Sequence, residues 1–334
     1  MAATRRLRPV ALAALVALLA LVGARPVRAH PVSDWELRNL PKLSRPLADT
    51  LATTALPDSS GLVGVNRGGW VHVAYQRPAL WALRLAAARG DETLAERAWP
   101  AVAAAFARQT AAGGFAAAPA IARGDDLAGT SLWLGELAQT LLVLQSGPLR
   151  GWFRARTEAL SPQVIRSARW LVAGAPELER RDRRSASGLF ADAFAFTLTG
   201  ELDHDQARLE WGRRFLTRAL KLAARDGRFV EPRATPASAQ GASLLRLQVL
   251  DIYYPSFENG IAIGRGAEWL LAGRAAAPRA RAGASSARFG PDRRDLALAL
   301  LYRSALAEDP RAAAAAERVF RASERELESS RTTP

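Results

Sequence analysis

The chain has 334 residues, 49% of them hydrophobic, with a formal net charge of +14 and no cysteine. The lack of cysteine excludes disulfides, thiolate metal sites, thiol nucleophiles and a cysteine-linked lipid anchor. The length allows one large helical domain or two small ones. Alanine and leucine dominate and β-branched runs are scarce, so the composition favours an all-α fold.

Most of the positive charge is arginine, since Lys42 and Lys221 are the two lysines of the sequence. Five arginines lie in residues 1–29, which leaves a formal charge of +9 on the rest. One interpretation is attraction to an anionic polysaccharide or another polyanion; the other is the arginine and alanine bias of a GC-rich genome. No nucleic-acid recognition motif is present, so no nucleic-acid partner is predicted.

The first 29 residues have the pattern of a cleaved signal peptide. Residues 5–8 include three arginines, residues 10–22 contain only Val, Ala and Leu, and residues 27–29 end in a small residue suited to cleavage. Mature protein would begin at His30, in the periplasm or outside the cell, without a stable membrane anchor. The arginine pair in Thr4-Arg5-Arg6 also fits a twin-arginine export route.

The remaining chain is predicted to be a series of helices. Leu134, Leu137, Leu141 and Leu144 form one helical stripe. We expect the helix carrying this stripe to begin at the cap Thr130-Ser131, and a later one to run from about Pro162 to Ala173 and end at Gly174. The predicted divisions are an irregular arm (30–39), a helical-hairpin domain (40–272), a flexible linker (273–294), a C-terminal helix (295–326) and a tail (327–334).

A weak internal repeat lies within this series. Gly114-Phe115 leads through a loop to Gly129–Leu132, and Gly227–Phe229 leads through a similar loop to Gly241–Leu244. A helical hairpin cannot bury its apolar face alone, so such units must stack side by side. An α/α toroid, an incomplete ring of hairpins, satisfies this requirement; an open α-solenoid satisfies it too.

Three stretches occur in an order known from one enzyme family. The first is Asp34–Leu37 followed by Pro41 and Asp49–Leu51; the second is Gly64–Arg67; the third is Asp226–Pro232 followed by Gln240-Gly241. They resemble the N-W-W-D-W-E-I-G-x-P, G-A-N-R and D-G-S-F-x-Q-H…Y-G motifs of the lyases that cleave hyaluronate, chondroitin and xanthan. The resemblance spans residues 34–250 and implies an α/α toroid acting on an acidic polysaccharide.

The departures from that family fall on its chemistry. The catalytic histidine and tyrosine of the third motif are replaced by Pro232 and Gln240, and the paired tryptophans of the first by Val32 and Ser33. The family's large β-sheet domains would not fit in this length. The resemblance therefore implies an enzyme with rearranged residues or a pseudoenzyme that binds carbohydrate without cleaving it.

Residues suited to β-elimination remain in the sequence. Such a reaction needs a group that neutralises the substrate carboxylate, together with a base and an acid. By resemblance Asn66 would neutralise the carboxylate. The candidates for proton transfer are His72, Tyr75 and Tyr254; those for substrate binding are Trp35, Arg67, Trp70, Glu231, Arg233 and Gln240. Each also has a structural interpretation, such as a packed histidine, core tyrosines or an asparagine that shapes a glycine-rich loop.

Two other chemistries are weaker. A hydrolase needs two opposed carboxylates, for which Asp125-Asp126, Glu231, Asp251 and Glu258 are available. A mature N-terminal His30 could chelate copper, but no second histidine lies near it in sequence, so no metal and no cofactor is predicted. The sequence thus leaves two hypotheses, a periplasmic enzyme acting on an acidic polysaccharide and a non-catalytic glycan binder or envelope scaffold.

Overall fold

The computed structural model describes residues 30–42, 48–49, 52, 56–63, 73–115, 125–232, 237–273 and 291–332. Within these ranges the chain is helical and forms no β-strand, with two isolated β-bridges in turns. The prediction of an all-α fold is confirmed. The predicted signal peptide (1–29) lies outside the described residues.

The helices are numbered in chain order. They are α1 (Pro31–Asn39), α2 (Arg77–Arg89), α3 (Glu92–Ala98), α4 (Pro100–Phe106), α5 (Asp125–Ser146), α6 (Arg150–Arg181), α7 (Ala186–Asp203), α8 (Gln206–Leu220), α9 (Ala237–Tyr253), α10 (Phe257–Leu271), α11 (Pro291–Ala307) and α12 (Pro310–Thr332). Short 3₁₀ helices cover Leu40–Lys42 and Val73–Gln76.

The helices pack as a series of hairpins. Helices α2, α5, α7, α9 and α11 contact one another in that order, and each also packs against the helix or helices that follow it in the chain. Because α5 and α7 are flanked on several sides, they are apolar around most of their circumference, and Trp133 and Phe196 are fully buried within them. Helix α1 lies against α2, α5 and α9.

Helix α5 also has the length and composition of a membrane span. The segment Asp126–Ser146 meets that test. Most of its apolar window, 89%, is buried against other parts of the chain. This burial is what the core helix of a folded domain requires.

The predicted irregular arm at 30–39 is wrong, because these residues form α1. His30 is extended, Pro31 occupies the first helical turn, and Asp34 adds an acidic side chain there. Val32, Ser33 and Glu36 are fully buried. Two turns of helix with a buried polar face are hard to recognise from apolar periodicity alone.

Two predicted helix boundaries are also wrong. Thr130 and Ser131 are not a cap but lie buried inside α5. Helix α6 is one helix of 32 residues that continues through Pro162 and Gly174. A Cβ on Gly174 would lie 2.2 Å from Leu127 Cδ2, so this glycine allows close packing of α5 and α6 instead of ending a helix.

The predicted C-terminal helix (295–326) is a hairpin of α11 and α12. Glu308 has a left-handed φ of 50°, and Pro310 starts the new helix. Helix α11 begins at Pro291, inside the predicted linker, most of which (274–290) lies outside the described residues. Helix α12 continues to Thr332, so most of the predicted tail (327–334) is helical as well.

The internal repeat appears as two turns with the same hydrogen bonds. Bridges join Gln109 to Phe115 and Ala223 to Phe229. In each turn one N–H donates to a carbonyl four residues later at 2.8 Å, from Thr110 to Gly114 and from Ala224 to Arg228. Gly113 and Gly227 take φ values of 109° and 91°, a region that favours glycine. The repeat is confirmed for these turns.

Candidate functional site

Half of the predicted site residues lie outside the described residues, namely Asn66, Arg67, Trp70, His72 and Arg233. Tyr75 belongs to the 3₁₀ helix Val73–Gln76 and is half-buried. The predicted grouping of Asn66, His72 and Tyr75 therefore stays a prediction.

Gln240 holds a turn together. It is fully buried, accepts a hydrogen bond from the Phe229 N–H at 2.8 Å and donates to the Gly227 carbonyl at 2.9 Å. Gln76 holds Val63 in the same way, through the N–H and carbonyl of that residue. The amide of Gln240 satisfies backbone groups that would otherwise be buried without partners, so it is not accessible to a polymer.

Glu231 and Trp35 also make internal contacts. The Glu231 carboxylate accepts hydrogen bonds from the Ser185 hydroxyl and the Ser187 N–H, both at 2.7 Å. It thereby helps to cap the N-terminus of α7, where a negative charge is favourable. Trp35 stacks on Tyr302 with 4.7 Å between ring centroids. Neither residue lines the groove between α8 and α10 described below.

Two buried aspartates lie behind this cap. Asp192 is fully buried in α7 and accepts a hydrogen bond from the Ser131 hydroxyl at 2.7 Å. Burial, followed by the negative charge of Asp182, raises the pKa of Asp192 well above its ordinary value. At a pH below this raised pKa Asp192 keeps its proton and donates a hydrogen bond to Asp182, so the pair carries at most one negative charge.

Replacing Asp192 with asparagine should change how stability depends on pH. In the unfolded chain Asp192 loses its proton near pH 4, whereas in the folded protein its pKa is higher. Between these two pKa values the folded state binds one proton more than the unfolded state. The unfolding free energy of the wild type therefore falls as the pH rises through this window. We expect the free energy of unfolding of Asp192→Asn, relative to wild type, to rise by up to about 1.4 kcal/mol per pH unit.

Urea unfolding at several pH values between 4 and 7 measures this difference. Asp226→Asn, an exchange at an exposed aspartate, is the matched control and should show a flat difference. If the difference in unfolding free energy between Asp192→Asn and wild type did not change with pH, Asp182 and Asp192 would not share a proton.

A buried ionic cluster joins α1 to the helices around it. It contains Glu36 of α1, Arg77 and Arg84 of α2, Glu136 and Gln139 of α5, Arg246 of α9, and Asp295 and Tyr302 of α11. Arg84 donates to Gln139 at 2.7 Å and to Glu136 at 3.1 Å. The cluster fills the space beside α1 with charged groups that are nearly all inaccessible.

A groove of about 930 Å³ runs between α8 and α10. Three exposed cations border it, Arg213, Lys221 and Arg265, against one acidic side chain, Glu258. The guanidinium of Arg213 lies 5.2 Å from the centre of the Tyr254 ring. The groove therefore combines positive charge with the face of a half-buried aromatic ring.

A hydrogen-bonded chain of side chains lies at one end of this groove. The Tyr253 hydroxyl is 2.7 Å from His30 Nδ1, and His30 Nε2 is 3.4 Å from Glu201. Tyr254 also donates to Glu201, at 3.4 Å. Burial lowers the pKa of His30, so the ring is neutral near pH 7 and its Nδ1 accepts a hydrogen bond from the Tyr253 hydroxyl.

Both tyrosines hold their protons firmly. Burial, followed by the negative charge of Glu201, raises the pKa of Tyr253 well above its usual range and also raises that of Tyr254. The arrangement can hydrogen-bond a ligand but provides no tyrosinate to remove a proton.

Sequence reasoning selected Tyr254 but missed the residues that contact the two tyrosines. Tyr254 contacts Glu201 and Arg213, and Tyr253 contacts His30, which is 223 residues away in the sequence. The visible signal was the adjacent pair Tyr253-Tyr254 at a helix end.

Comparison with known proteins gives no match: no protein-family model, no curated protein and no solved structure is detectably similar to this chain.

Proposed function

We propose that this chain is an exported protein that binds an anionic polysaccharide in the groove between α8 and α10 and does not cleave it. We further propose that its hairpins form an α/α toroid around α1. The neighbour order of α2, α5, α7, α9 and α11 supports such a ring, and the ion pair of Arg77 with Asp295, 3.8 Å apart, links its first and last members.

The charge and shape of the groove carry the proposal. Arg213, Lys221 and Arg265 form no ion pair with any carboxylate of the described residues, so their charges face the groove. Arginine binds carboxylate or sulfate through paired hydrogen bonds, and the Tyr254 ring offers an apolar face for a sugar. A uronate polymer presents both kinds of surface at each repeat.

Two observations favour binding over cleavage. The raised pKa values of Tyr253 and Tyr254 mean that neither tyrosine is ionised to act as the base that β-elimination needs. The interior of the hairpin series, where the resemblance to polysaccharide lyases would put a substrate cleft, is filled by α1 and its ionic cluster. A lyase that uses Tyr254 and His30 is the second candidate, supported by their hydrogen bonds to shared partners.

Binding to immobilised alginate and hyaluronan, with uncharged dextran as a reference, tests the proposal. We expect Arg213→Ala and Lys221→Ala each to weaken binding roughly two- to fivefold, the effect of about one exposed ion pair. Added salt should weaken wild-type binding, because exposed charges are screened. Arg154→Ala is the matched control, since Arg154 is exposed on α6, away from the groove.

Each other outcome identifies another function. Equal loss in Arg154→Ala would indicate general charge attraction, and no binding to any polymer would favour an envelope scaffold. Ultraviolet absorbance of an unsaturated uronate product, lost in Tyr254→Phe, would establish the lyase.

A further inference from the structure

The carboxylate of Glu36 is held like a bound ligand. Its Oε1 accepts hydrogen bonds from the Tyr302 hydroxyl and, at 2.6 Å, from the Gln139 amide. Its Oε2 lies 3.5 Å from Arg84 Nε. A guanidinium, an amide and a hydroxyl are the groups that proteins commonly use to recognise a carboxylate, and they come from α2, α5 and α11.

The charges around this carboxylate balance only when it is present. Arg77, Arg84 and Arg246 carry three positive charges, and Glu136 and Asp295 carry two negative charges. Glu36 supplies the third. Without it the same buried space would hold one uncompensated positive charge, which is costly unless an anion replaces it.

The fit of Glu36 is imperfect. Glu36 Oε2 and Arg84 Nε are both buried and make no hydrogen bond within the described residues. Burial raises the pKa of Glu36, although Arg84 and the hydrogen bonds from Tyr302 and Gln139 favour the carboxylate form. A buried ion pair with unmet hydrogen bonds contributes little net stability, so exchange for another carboxylate has a small free-energy cost at this contact.

We propose that the space enclosed by α2, α5, α9 and α11 is a binding site for one carboxylate group, and that the side chain of Glu36 of α1 is its resident occupant. An external carboxylate competes with Glu36 and releases α1. This site is separate from the α8–α10 groove and does not depend on glycan binding there.

The first test fills an emptied site with a small anion. Glu36→Ala should have a lower midpoint of thermal unfolding than wild type. Propionate, which has the shape of the deleted side chain, should raise that midpoint in a saturable way. Propionamide and chloride at equal concentration should not. Asp192→Ala is the matched control, because it removes a buried carboxyl group whose side-chain hydrogen bonds are with Ser131 and Asp182 and not with an arginine.

The outcomes separate the alternatives. Rescue by propionate in Glu36→Ala alone supports the site; equal effects of propionate and propionamide, or rescue of Asp192→Ala, overturn it. Glu36→Ala could fold only when an anion is added, and helicity is then the readout. Recovery of helicity with propionate but not with propionamide supports the site. No recovery with either compound overturns the proposal.

The second test measures release of α1 in the intact chain. Hydrogen exchange of the amides of residues 32–39 should speed up when glucuronate is added, and more so in Glu36→Gln, which keeps the volume of the side chain but loses its charge. Glucose should have no effect. Unchanged exchange rates in both proteins would overturn the proposal that an external carboxylate competes with Glu36. That result would not bear on the proposal that the α8–α10 groove binds a polysaccharide.

Discussion

Arg84→Ala is expected to lower the free energy of unfolding by about 3–5 kcal/mol, the usual cost of removing one partner of a buried ion pair. Arg84 is 2% exposed and serves Glu36, Glu136 and Gln139 at once. Its loss leaves two buried acids with weakened compensation, and it opens a gap beside Trp81, whose ring centre lies 5.7 Å from the guanidinium. Urea unfolding followed by circular dichroism measures the change.

Arg154→Ala provides the comparison for this effect. Arg154 forms an exposed pair with Glu158 at 2.9 Å, and such pairs contribute little to stability because solvent screens them. If Arg84→Ala were no more destabilising than Arg154→Ala, the buried cluster would not hold α1 to its neighbours.

The second large effect is expected at Gly227. A Cβ at this position would lie 2.1 Å from the Arg265 carbonyl oxygen, and the φ of 91° is unfavourable for any other residue. Gly227→Ala should therefore lower the unfolding free energy by about 2–5 kcal/mol, from backbone strain together with displacement of α10. Gly113→Ala should behave similarly, because its Cβ would lie 2.6 Å from the Arg166 carbonyl oxygen.

Gly151→Ala is the control for both glycines. Gly151 lies in α6, and nothing is within 4 Å of the Cβ it would gain. Alanine there should raise stability by about 0.5–1 kcal/mol through higher helix propensity. Equal effects at Gly151 and Gly227 would show that α10 does not pack against the turn as described.

The sequence was informative where apolar periodicity was long. The leucine stripe of α5 predicted a real helical segment. The errors came from residues that can serve two structural roles. Gly174 was interpreted as a helix end, yet it lies inside α6, where a Cβ would collide with Leu127 of the neighbouring helix. A glycine that allows close packing cannot be distinguished locally from one that ends a helix.

The candidate site was predictable only in part. Tyr254 was found because two adjacent tyrosines at a helix end attract notice, but its partner Glu201 has no local signature. Gln240 was proposed as a ligand contact from its place in a motif, whereas the fold uses it to fasten a turn. A short motif predicts the conformation of a backbone turn more reliably than it predicts a chemical function. The turn depends on residues adjacent in sequence, whereas the function depends on residues that are distant in sequence.

The buried position of α1 has a consequence for how the chain reaches its native state. Helix α1 and its cap receive hydrogen bonds from residues far along the chain. Tyr253 binds His30 across 223 residues, and Tyr302 binds Glu36 across 266 residues. Contacts over such sequence distances form slowly, because the loop-closure entropy is lost before the contact contributes. During synthesis α1 must therefore wait, with its apolar residues exposed to water or to chaperones, until the last hairpin emerges.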